Sequence, residues 1–243
     1  MATAILSALA QEQRGLVDLL DERREVERAG RRFITGRLSG QPVVLALSRI
    51  GKVAAATTAT TLIEAFGAQR VVFTGVAGGL HPSVKVGDIV VAEAFVQHDM
   101  DASPLFARFE VPLYGRARFD CDAPLQALLA ASGHTALSAA DSPSPGARVH
   151  SGLIASGDRF LSAAADAHAL RSALDSAGHP ALAVEMEGAA VAQVCHDYGV
   201  PFAAMRTISD GADEQAAGDF LGFVERVAGP CACAVIGDLM RRL

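Results

Sequence analysis

Short apolar runs alternate with longer amphipathic runs along this chain, and this alternation constrains its fold more than any other feature. Strands that alternate with helices favour a mostly parallel sheet that helices cover on both faces. The predicted strands are Ala2–Ala8, Arg32–Leu38, Val43–Ser48, Arg70–Thr74, Asp88–Ala94, Val149–Ser156, Ala181–Val184 and Pro201–Ile208. The predicted helices are Gln11–Arg23, Gly51–Phe66, Pro124–Ser132, Leu161–Ala177, Met186–Tyr198 and Ala216–Arg242. Gly133, Gly178 and Gly199 are expected just past helix ends, as left-handed caps.

The length and composition of the chain indicate one domain over residues 1–243. Of the 243 residues, 51% are hydrophobic, which is enough for a sizeable buried core. The net charge of −6 argues against a nucleic-acid partner, which would require a clustered basic face. The basic residues Arg23, Arg24, Arg31 and Arg32 are mixed with acids, so we interpret them as a solvated helix and loop surface.

The sequence favours a cytoplasmic protein without a membrane partner. No apolar run approaches the roughly 20 residues of a membrane span. The apolar start, Met1–Ala10, lacks a basic leading region and is interpreted as a first buried strand. The four cysteines have no metal-type spacing, and we expect reduced thiols in a cytosolic protein.

Carboxylates lie where predicted strands end. Glu185 and Glu187 follow one strand, Asp210 follows another, and Glu12 comes just after the first. Such acids are either helix-start carboxylates or parts of an active site, because α/β proteins place ligands at the carboxyl ends of their strands. The set suits a reaction whose transition state gains positive charge and needs one proton delivered and one removed. No nucleophile elbow is present, and the cysteines have no evident partner histidine.

Three other segments leave two interpretations open. Thr74–Leu80 is either a plain glycine turn or a close approach to a ligand, and Ser48–Lys52 is either an ordinary turn or an anion site that Arg49 or Lys52 could assist. In the Ser156–Leu161 segment, Asp158 and Arg159 could pair with each other, and Phe160 is either core or a stacking platform.

The longest segment without clear periodicity runs from Phe95 to about Arg118. Such a stretch is usually a functional loop or a subunit contact. Its His98, Asp99 and Asp101 form either a metal site or, as we favour, a polar network near a subunit interface. We expect no metal and no cofactor.

Several motifs occur in an order that is specific as a set. They are Ala8, Glu12, Ser48-x-Ile50-Gly51-Lys52, Thr74-Gly75-x-Ala77-Gly78-Gly79, Val86-Gly87-Asp88-Ile89-Val90, Ser156-Gly157-Asp158, Val184-Glu185-Met186-Glu187 and Arg206-x-Ile208-Ser209-Asp210. From about Ala4 to Phe223 the chain resembles the 5′-methylthioadenosine/S-adenosylhomocysteine nucleosidases of the nucleoside phosphorylase/hydrolase superfamily.

This resemblance implies a three-layer α/β/α sandwich with a central mixed, mostly parallel twisted sheet, usually in a homodimer. It implies hydrolysis of the N-glycosidic bond of 5′-methylthioadenosine, S-adenosylhomocysteine or 5′-deoxyadenosine, which releases adenine and the 5′-substituted ribose. Glu12 matches the residue that activates the attacking water. Asp210 matches the acid that protonates adenine N7, and Glu187 the ligand of the ribose hydroxyl that stabilises the oxocarbenium ion.

The resemblance also implies a set of residues that contact the substrate. Phe160 stacks on the base, Leu161 meets it through its backbone, Met186 lies against the sugar, and Ser209 orients the catalytic aspartate. Glu185 is a candidate for the 2′-hydroxyl or for support. The full set is Ala8, Gly78, Phe160, Leu161, Glu185, Met186, Arg206, Ser209 and Phe220.

The chain departs from the family pattern at two positions. Val76 replaces a serine, and Arg49 stands where a glycine is common. Phe106 and Pro112 are speculative selectivity residues for a neighbouring subunit's 5′ pocket. The alternatives are a purine nucleoside or methylthioadenosine phosphorylase on the same fold, and a nucleoside-binding protein without activity. The sequence leaves open which 5′ substituent is preferred.

Overall fold

The computed structural model of the chain describes residues 2–212 and 220–243. The strands are β1 (Ala2–Ser7), β2 (Asp21–Arg28), β3 (Arg31–Leu38), β4 (Gln41–Leu47), β5 (Ala68–Phe73), β6 (Val76–Gly79), β7 (Ile89–Gln97), β8 (Arg118–Asp120), β9 (Val149–Ser156), β10 (Ala181–Glu185) and β11 (Phe202–Asp210). The helices are α1 (Lys52–Phe66), α2 (Ala123–Ser138), α3 (Ala164–Ser176), α4 (Gly188–Tyr198), α5 (Phe220–Phe223) and α6 (Gly229–Arg242). A 3₁₀ turn, Ala10–Gln13, follows β1, and a π turn, Val224–Ala228, joins α5 to α6.

One sheet contains these strands in the order β2-β3-β4-β1-β5-β11-β6-β10-β9-β7-β8. Its central pairs β4–β1, β1–β5, β5–β11 and β11–β6 are parallel, and the β2–β3–β4 edge is antiparallel. Strand β11 also pairs with β7, so β11, β6, β10, β9 and β7 close into a ring. The predicted mixed sheet is therefore confirmed.

Along the central strands, alternate side chains pack against two different layers of helices. In β1, Ala4 and Leu6 pack in the cluster that contains α1 and α4, whereas Ile5 packs with α2 and α6. The same alternation recurs in β5 and β11, as expected for a sheet that is buried on both faces. The predicted three-layer α/β/α class is confirmed.

The predicted helix Gln11–Arg23 is wrong. Only the 3₁₀ turn forms there; Gly15 takes φ +90°, and the chain then enters β2. Every residue of β2 except Val26 is exposed, and β2 pairs with β3 at the sheet edge. Sheet hydrogen bonds therefore override the helix propensity of this charged segment, and the predicted helical arginine surface is a β-hairpin surface.

Gly133 does not end a helix, because α2 continues to Ser138. A Cβ atom at Gly133 would lie 3.2 Å from Val149 Cγ2, so the glycine permits close packing of α2 on β9. Gly199 does adopt the predicted left-handed cap, with φ 63°, and Gly178 has φ 76°.

The C-terminal helical segment Phe220–Arg242 is the one helix among the described residues that is long and apolar enough to cross a membrane. The expectation that no segment reaches this length is wrong by that measure. Val235, Ile236, Leu239 and Met240 are buried in the cluster with α2, which accounts for much of the segment's hydropathy. The predicted helix began at Ala216, and residues 216–219 lie outside the described residues.

Candidate active site

A cleft opens where β1, β6, β10 and β11 meet, and the empty space in it, including the part open to solvent, is about 770 Å³. The lining residues are Ala8, Leu9, Glu12, Ile50, Val76, Ala77, Gly78, Arg159, Phe160, Leu161, Val184, Glu185, Met186, Glu187, Ser209, Asp210, Ala212 and Phe220. Of the twelve residues that the sequence singled out, eleven line this cleft, and Arg206 is the exception.

Glu12 is held by backbone donors at the end of β1. Its Oε2 accepts hydrogen bonds from the amides of Ala8 (2.7 Å) and Leu9 (2.8 Å), and Oε1 accepts one from Val76 (3.3 Å). Burial raises the pKa of Glu12, although these amides and the Arg206 guanidinium oppose the shift. A fixed carboxylate with a raised pKa is suited to accept a proton near neutral pH.

Glu185 has its acceptor positions occupied by neighbouring groups. It accepts from Arg206 Nη2 at 2.8 Å, from the Ser156 hydroxyl, and from the amides of Glu187 and Gly188 at the start of α4. These contacts favour a supporting role for Glu185 over contact with a ribose hydroxyl.

Arg206 lies behind the carboxylates and does not line the cleft. Its side chain is buried, with Nη1 donating to the carbonyls of Phe73 (3.1 Å) and Met205 (3.0 Å). The guanidinium carbon lies 4.1 Å from the centroid of the Phe73 ring. Arg206 therefore compensates buried negative charge without lining the cleft, whereas the sequence interpretation counted it among the residues that contact the substrate.

Glu187 is the residue at which α4 begins, and its Oε1 accepts a hydrogen bond from the Gly51 amide at 2.8 Å. Burial and the nearby Glu185 raise the pKa of Glu187 to about 8, against the lowering effects of the Gly51 amide and Arg206. A positively charged group in the cleft would favour the ionised form of Glu187. It would then lie close to a carboxylate.

Asp210 is held at the end of β11 in a different way. Ser209 Oγ lies 2.6 Å from Oδ2, and the Ala212 amide donates to Oδ1 at 2.8 Å. A Cβ atom at position 78 would lie 3.0 Å from Oδ1, so glycine lets β6 approach this carboxyl without displacing it.

Apolar groups form much of the cleft wall. Phe160 leaves 49% of its surface exposed, whereas Leu161 beside it is buried. A half-exposed ring in a cleft offers a face on which a flat heterocycle can stack. Met186 and Phe220 also line the cleft.

The comparisons agree with this geometry. The sequence matches the phosphorylase superfamily over residues 2–241. A 5′-methylthioadenosine/S-adenosylhomocysteine nucleosidase from Geobacillus thermodenitrificans is 39% identical over 98% of this chain and 96% of its own length. This chain belongs to that nucleosidase family.

Solved structures support the same assignment. The Neisseria meningitidis nucleosidase in complex with methylthio-immucillin-A is 34% identical, with a TM-score of 0.89 over 100% of this chain and 99% of that one. The futalosine hydrolase of Helicobacter pylori is 33% identical, with a TM-score of 0.87 over 100% and 98%. The predicted family and enzyme class, an N-glycosyl hydrolase that acts on a nucleoside, are confirmed.

The departures from the nucleosidase pattern have structural explanations. Val76 contacts Glu12 through its backbone amide, which any residue at that position supplies. Arg49 has a φ of 65°, a region that favours glycine, and its Nη2 donates to the Gly30 carbonyl at 2.6 Å. Neither Arg49 nor Lys52 lines the cleft.

Sequence reasoning missed several lining residues of the nucleosidase cleft. Ile50 is 58% exposed in the Ser48–Lys52 turn. A large aliphatic side chain in a glycine turn is unusual, and this could have marked Ile50 as a candidate for the cleft. Leu9 had no signal beyond its place beside Ala8. Arg159 pairs with Asp166 and not with Asp158.

The two loop acids have different partners. Asp99 accepts from Lys52 Nζ at 2.6 Å, while Asp101 accepts from the Ser103 amide at 3.0 Å. Within residues 2–212 and 220–243, no group of three or more His, Cys, Asp or Glu side chains is arranged to hold a metal ion.

Proposed function

We propose that this enzyme hydrolyses the N-glycosidic bond of adenine nucleosides with a 5′-thio substituent, such as 5′-methylthioadenosine and S-adenosylhomocysteine, and of 5′-deoxyadenosine. The observation that carries the proposal is that Glu12, Glu187 and Asp210 line one cleft while they belong to different parts of the sheet. Glu12 bonds to the β6 backbone at Val76, and Asp210 packs against Gly78. Val76 and Gly78 are two residues apart on β6, which corresponds to about 6–7 Å along a strand. A substrate bound between Glu12 and Asp210 can therefore receive a proton from one carboxyl group while a water molecule loses a proton to the other.

We name the two ends of the cleft accordingly. The sugar end consists of Glu12, Glu185 and Glu187, and the purine end consists of Phe160, Leu161, Ser209 and Asp210. In the proposed reaction, protonated Asp210 donates to adenine N7, and the electrons of the C1′–N9 bond pass to the leaving base. General-acid catalysis of this kind contributes roughly 10²–10⁴-fold.

The sugar end acts on the other fragment of the substrate. Loss of the base leaves an oxocarbenium-like sugar, which ionised Glu187 stabilises while it binds the ribose 3′-hydroxyl. Glu12 accepts a proton from a water molecule as the oxygen of that water bonds to C1′. The products are adenine and the 5′-substituted ribose, and no cofactor enters the reaction.

Water is favoured over phosphate as the nucleophile. The amides at the start of α1 would suit an anion, but Gly51 donates to Glu187 and Lys52 donates to Asp158. A phosphate group would meet carboxylates there and at Glu12. Among the described residues that line the cleft, the cation is Arg159, which lies beside Phe160 at the purine end.

An assay of adenine release with and without added phosphate tests the nucleophile. Equal rates are expected in the two conditions, and strict dependence on phosphate would require a phosphorylase instead. Glu12→Gln is expected to lower kcat by about 10²-fold, because the general base is lost. It is also expected to remove the acidic limb that Glu12 contributes to the pH profile.

The 5′ substituent is a separate question, because a futalosine hydrolase shares the fold at a similar identity. Apolar Leu9, Ile50 and Phe220 line the cleft, which favours an uncharged thioether such as methylthio. Relative kcat/KM for 5′-methylthioadenosine, S-adenosylhomocysteine, 5′-deoxyadenosine and aminodeoxyfutalosine tests this preference. A preference for aminodeoxyfutalosine of about tenfold or more would place the chain with the futalosine enzymes in function.

We also propose that the enzyme is a cytoplasmic homodimer. Ile50, Val53, Leu105 and Leu113 are exposed large apolar side chains, between 58% and 92% accessible, and a second subunit would cover them. The four unpaired thiols suit a reducing compartment. Light scattering tests the dimer, and cell fractionation tests the location.

A further inference from the structure

Asp99 joins two segments that each contribute residues to the cleft wall, Ile50 from one and Arg159, Phe160 and Leu161 from the other. Its Oδ1 accepts a hydrogen bond from Lys52 Nζ at 2.6 Å, and its Oδ2 accepts one from the Asp158 amide at 2.9 Å. The Asp158 carboxylate in turn accepts from the Lys52 amide at 2.8 Å. Asp99, Lys52 and Asp158 therefore form a closed ring of hydrogen bonds, which we call the Asp99 bridge.

Residues of the Asp99 bridge are adjacent in the chain to residues that act at both ends of the cleft. Lys52 follows Gly51, whose amide is the donor to Glu187 at the sugar end. Asp158 lies two residues before Phe160 and three before Leu161, the wall of the purine end. The Asp99 carboxylate therefore contacts the side chain of the residue next to Gly51 and the backbone of the segment that leads into the purine wall.

The surroundings make the bridge more rigid than an exposed ion pair. The Lys52 side chain is 17% exposed and that of Asp99 is 32% exposed. Burial opposes the charge of Asp99, but Lys52 and the Asp158 amide outweigh it and hold the pKa of Asp99 below its usual value. Lys52 Nζ also donates to Gln97 Oε1 at 3.0 Å, and Gln97 donates to Gln193 on α4 at 2.8 Å.

The buried ring of His98 packs beneath the same segment. A Cβ atom at Gly157 would collide with this ring, so the glycine lets the Ser156–Leu161 segment lie directly on it. The segment is therefore held by two contacts: Gly157 packs on the His98 ring, and the Asp158 amide donates to Asp99.

We propose that Asp99 is a positioning residue that, through Lys52 and Asp158, fixes the Gly51 amide against Glu187 and fixes the purine wall relative to it. This inference rests on the proposed function for its kinetic consequence. Misplacement of a reacting group by about 1 Å can cost about 10²-fold in rate. Loss of the bridge is therefore expected to act on kcat as well as on substrate affinity.

The test compares Asp99→Asn and Lys52→Met with Asp101→Asn, a matched control on the same loop. Asp101 is exposed and accepts only from Ser103 among the hydrogen bonds described here. Asp99→Asn and Lys52→Met are each expected to lower kcat for adenine release by about tenfold and to raise the Kd of adenine. The double variant should be no worse than either single variant, because both remove the same bridge, and Lys52→Arg should recover part of the rate.

Three results would overturn the assignment. The first is a kcat and KM for Asp99→Asn within about twofold of wild type while only Tm falls, which is the result of a purely structural role. The second is an equal loss in Asp101→Asn. The third is full additivity in the double variant.

A measurement on the ligand-free protein separates this inference from the proposed function. Adenine release by the wild type decides the proposed function alone. Amide hydrogen exchange in Asp99→Asn decides the positioning role without any turnover, because the amides of Gly51, Lys52 and Asp158 should exchange faster than in wild type. Unchanged exchange at these amides would overturn the bridge even if the enzyme is active.

Discussion

The two ends of the cleft hold their carboxyl groups in different ways. At the sugar end, Glu12 and Glu187 are fixed by backbone amides and share one buried cation, Arg206, with Glu185. At the purine end, Asp210 is held by the Ser209 hydroxyl and a single amide, away from that cation.

This difference separates two kinds of catalytic work. Three acids around one guanidinium leave an excess of negative potential, which favours a sugar that becomes positively charged. A single carboxyl with a hydroxyl neighbour suits the delivery of one proton. Variants at either end of the cleft test this difference.

Asp210→Asn tests the purine end. It is expected to lower kcat by about 10³-fold or more, because the amide cannot protonate N7. The Kd of adenine should stay within about tenfold, since the amide is similar in size and keeps a polar contact with Ser209. Steady-state kinetics and calorimetry measure the two quantities, and a kcat near the wild-type value would contradict the assignment.

Arg206→Met tests the sugar end through stability. It leaves Glu185 buried without its cation, so the free energy of unfolding should fall by about 3–5 kcal/mol at neutral pH. The double variant with Glu185→Gln should recover part of this loss. Urea unfolding measures it, and a loss below about 1 kcal/mol would mean that the backbone donors alone support Glu185.

Glu187→Gln tests the charge balance at the sugar end by its pH dependence. The pKa of Glu187 is raised from 4.5 to about 8, so the folded protein keeps a proton that the unfolded chain has lost between these values. Stability therefore falls as pH rises through that window, with a contribution from this group of up to about 1.4 kcal/mol per pH unit. The variant should show a shallower fall of Tm between about pH 5 and 8, and parallel curves would argue against the raised pKa.

Arg49→Gly has the smallest expected effect and probes the turn beside the sugar end. It relieves a left-handed backbone at φ 65° but loses the bond to Gly30 and adds freedom to the unfolded chain. The expected net gain is at most about 1 kcal/mol, with kcat/KM nearly unchanged. Arg32→Gly, in the extended strand β3, is the matched control and should lose stability; a loss in both variants would mean that the bond to Gly30 outweighs the strain.

The sequence predicted most of the fold because strand burial leaves a periodic pattern. It failed at the predicted helix Gln11–Arg23, because the charged segment Asp21–Arg28 becomes a strand by pairing with β3. The members of the cleft were predictable because strand ends converge, yet the local sequence could not assign them roles. The support given to Glu185 by Arg206 depends on contacts 21 residues apart.

Ile50 and the Asp99 bridge illustrate the remaining gap. Lys52 and Asp158 are 106 positions apart in the sequence, and Lys52 and Asp99 are 47 positions apart. No periodic pattern in the sequence indicates that these groups meet. Contacts between loops depend on how the sheet closes, and that closure comes from the additional pairing of β11 with β7.

Strand β11 has a consequence for how this family can diverge. Arg206 and Asp210 lie on the same strand, four residues apart, and the register of β11 against β6 shifts between Ile208 and Asp210. A one-residue insertion or deletion in a strand turns the later side chains to the opposite face of the sheet unless a bulge absorbs it. The placement of the proton donor relative to the buried cation thus depends on the strand and on this irregularity. The loops around the cleft can vary in length without altering that placement.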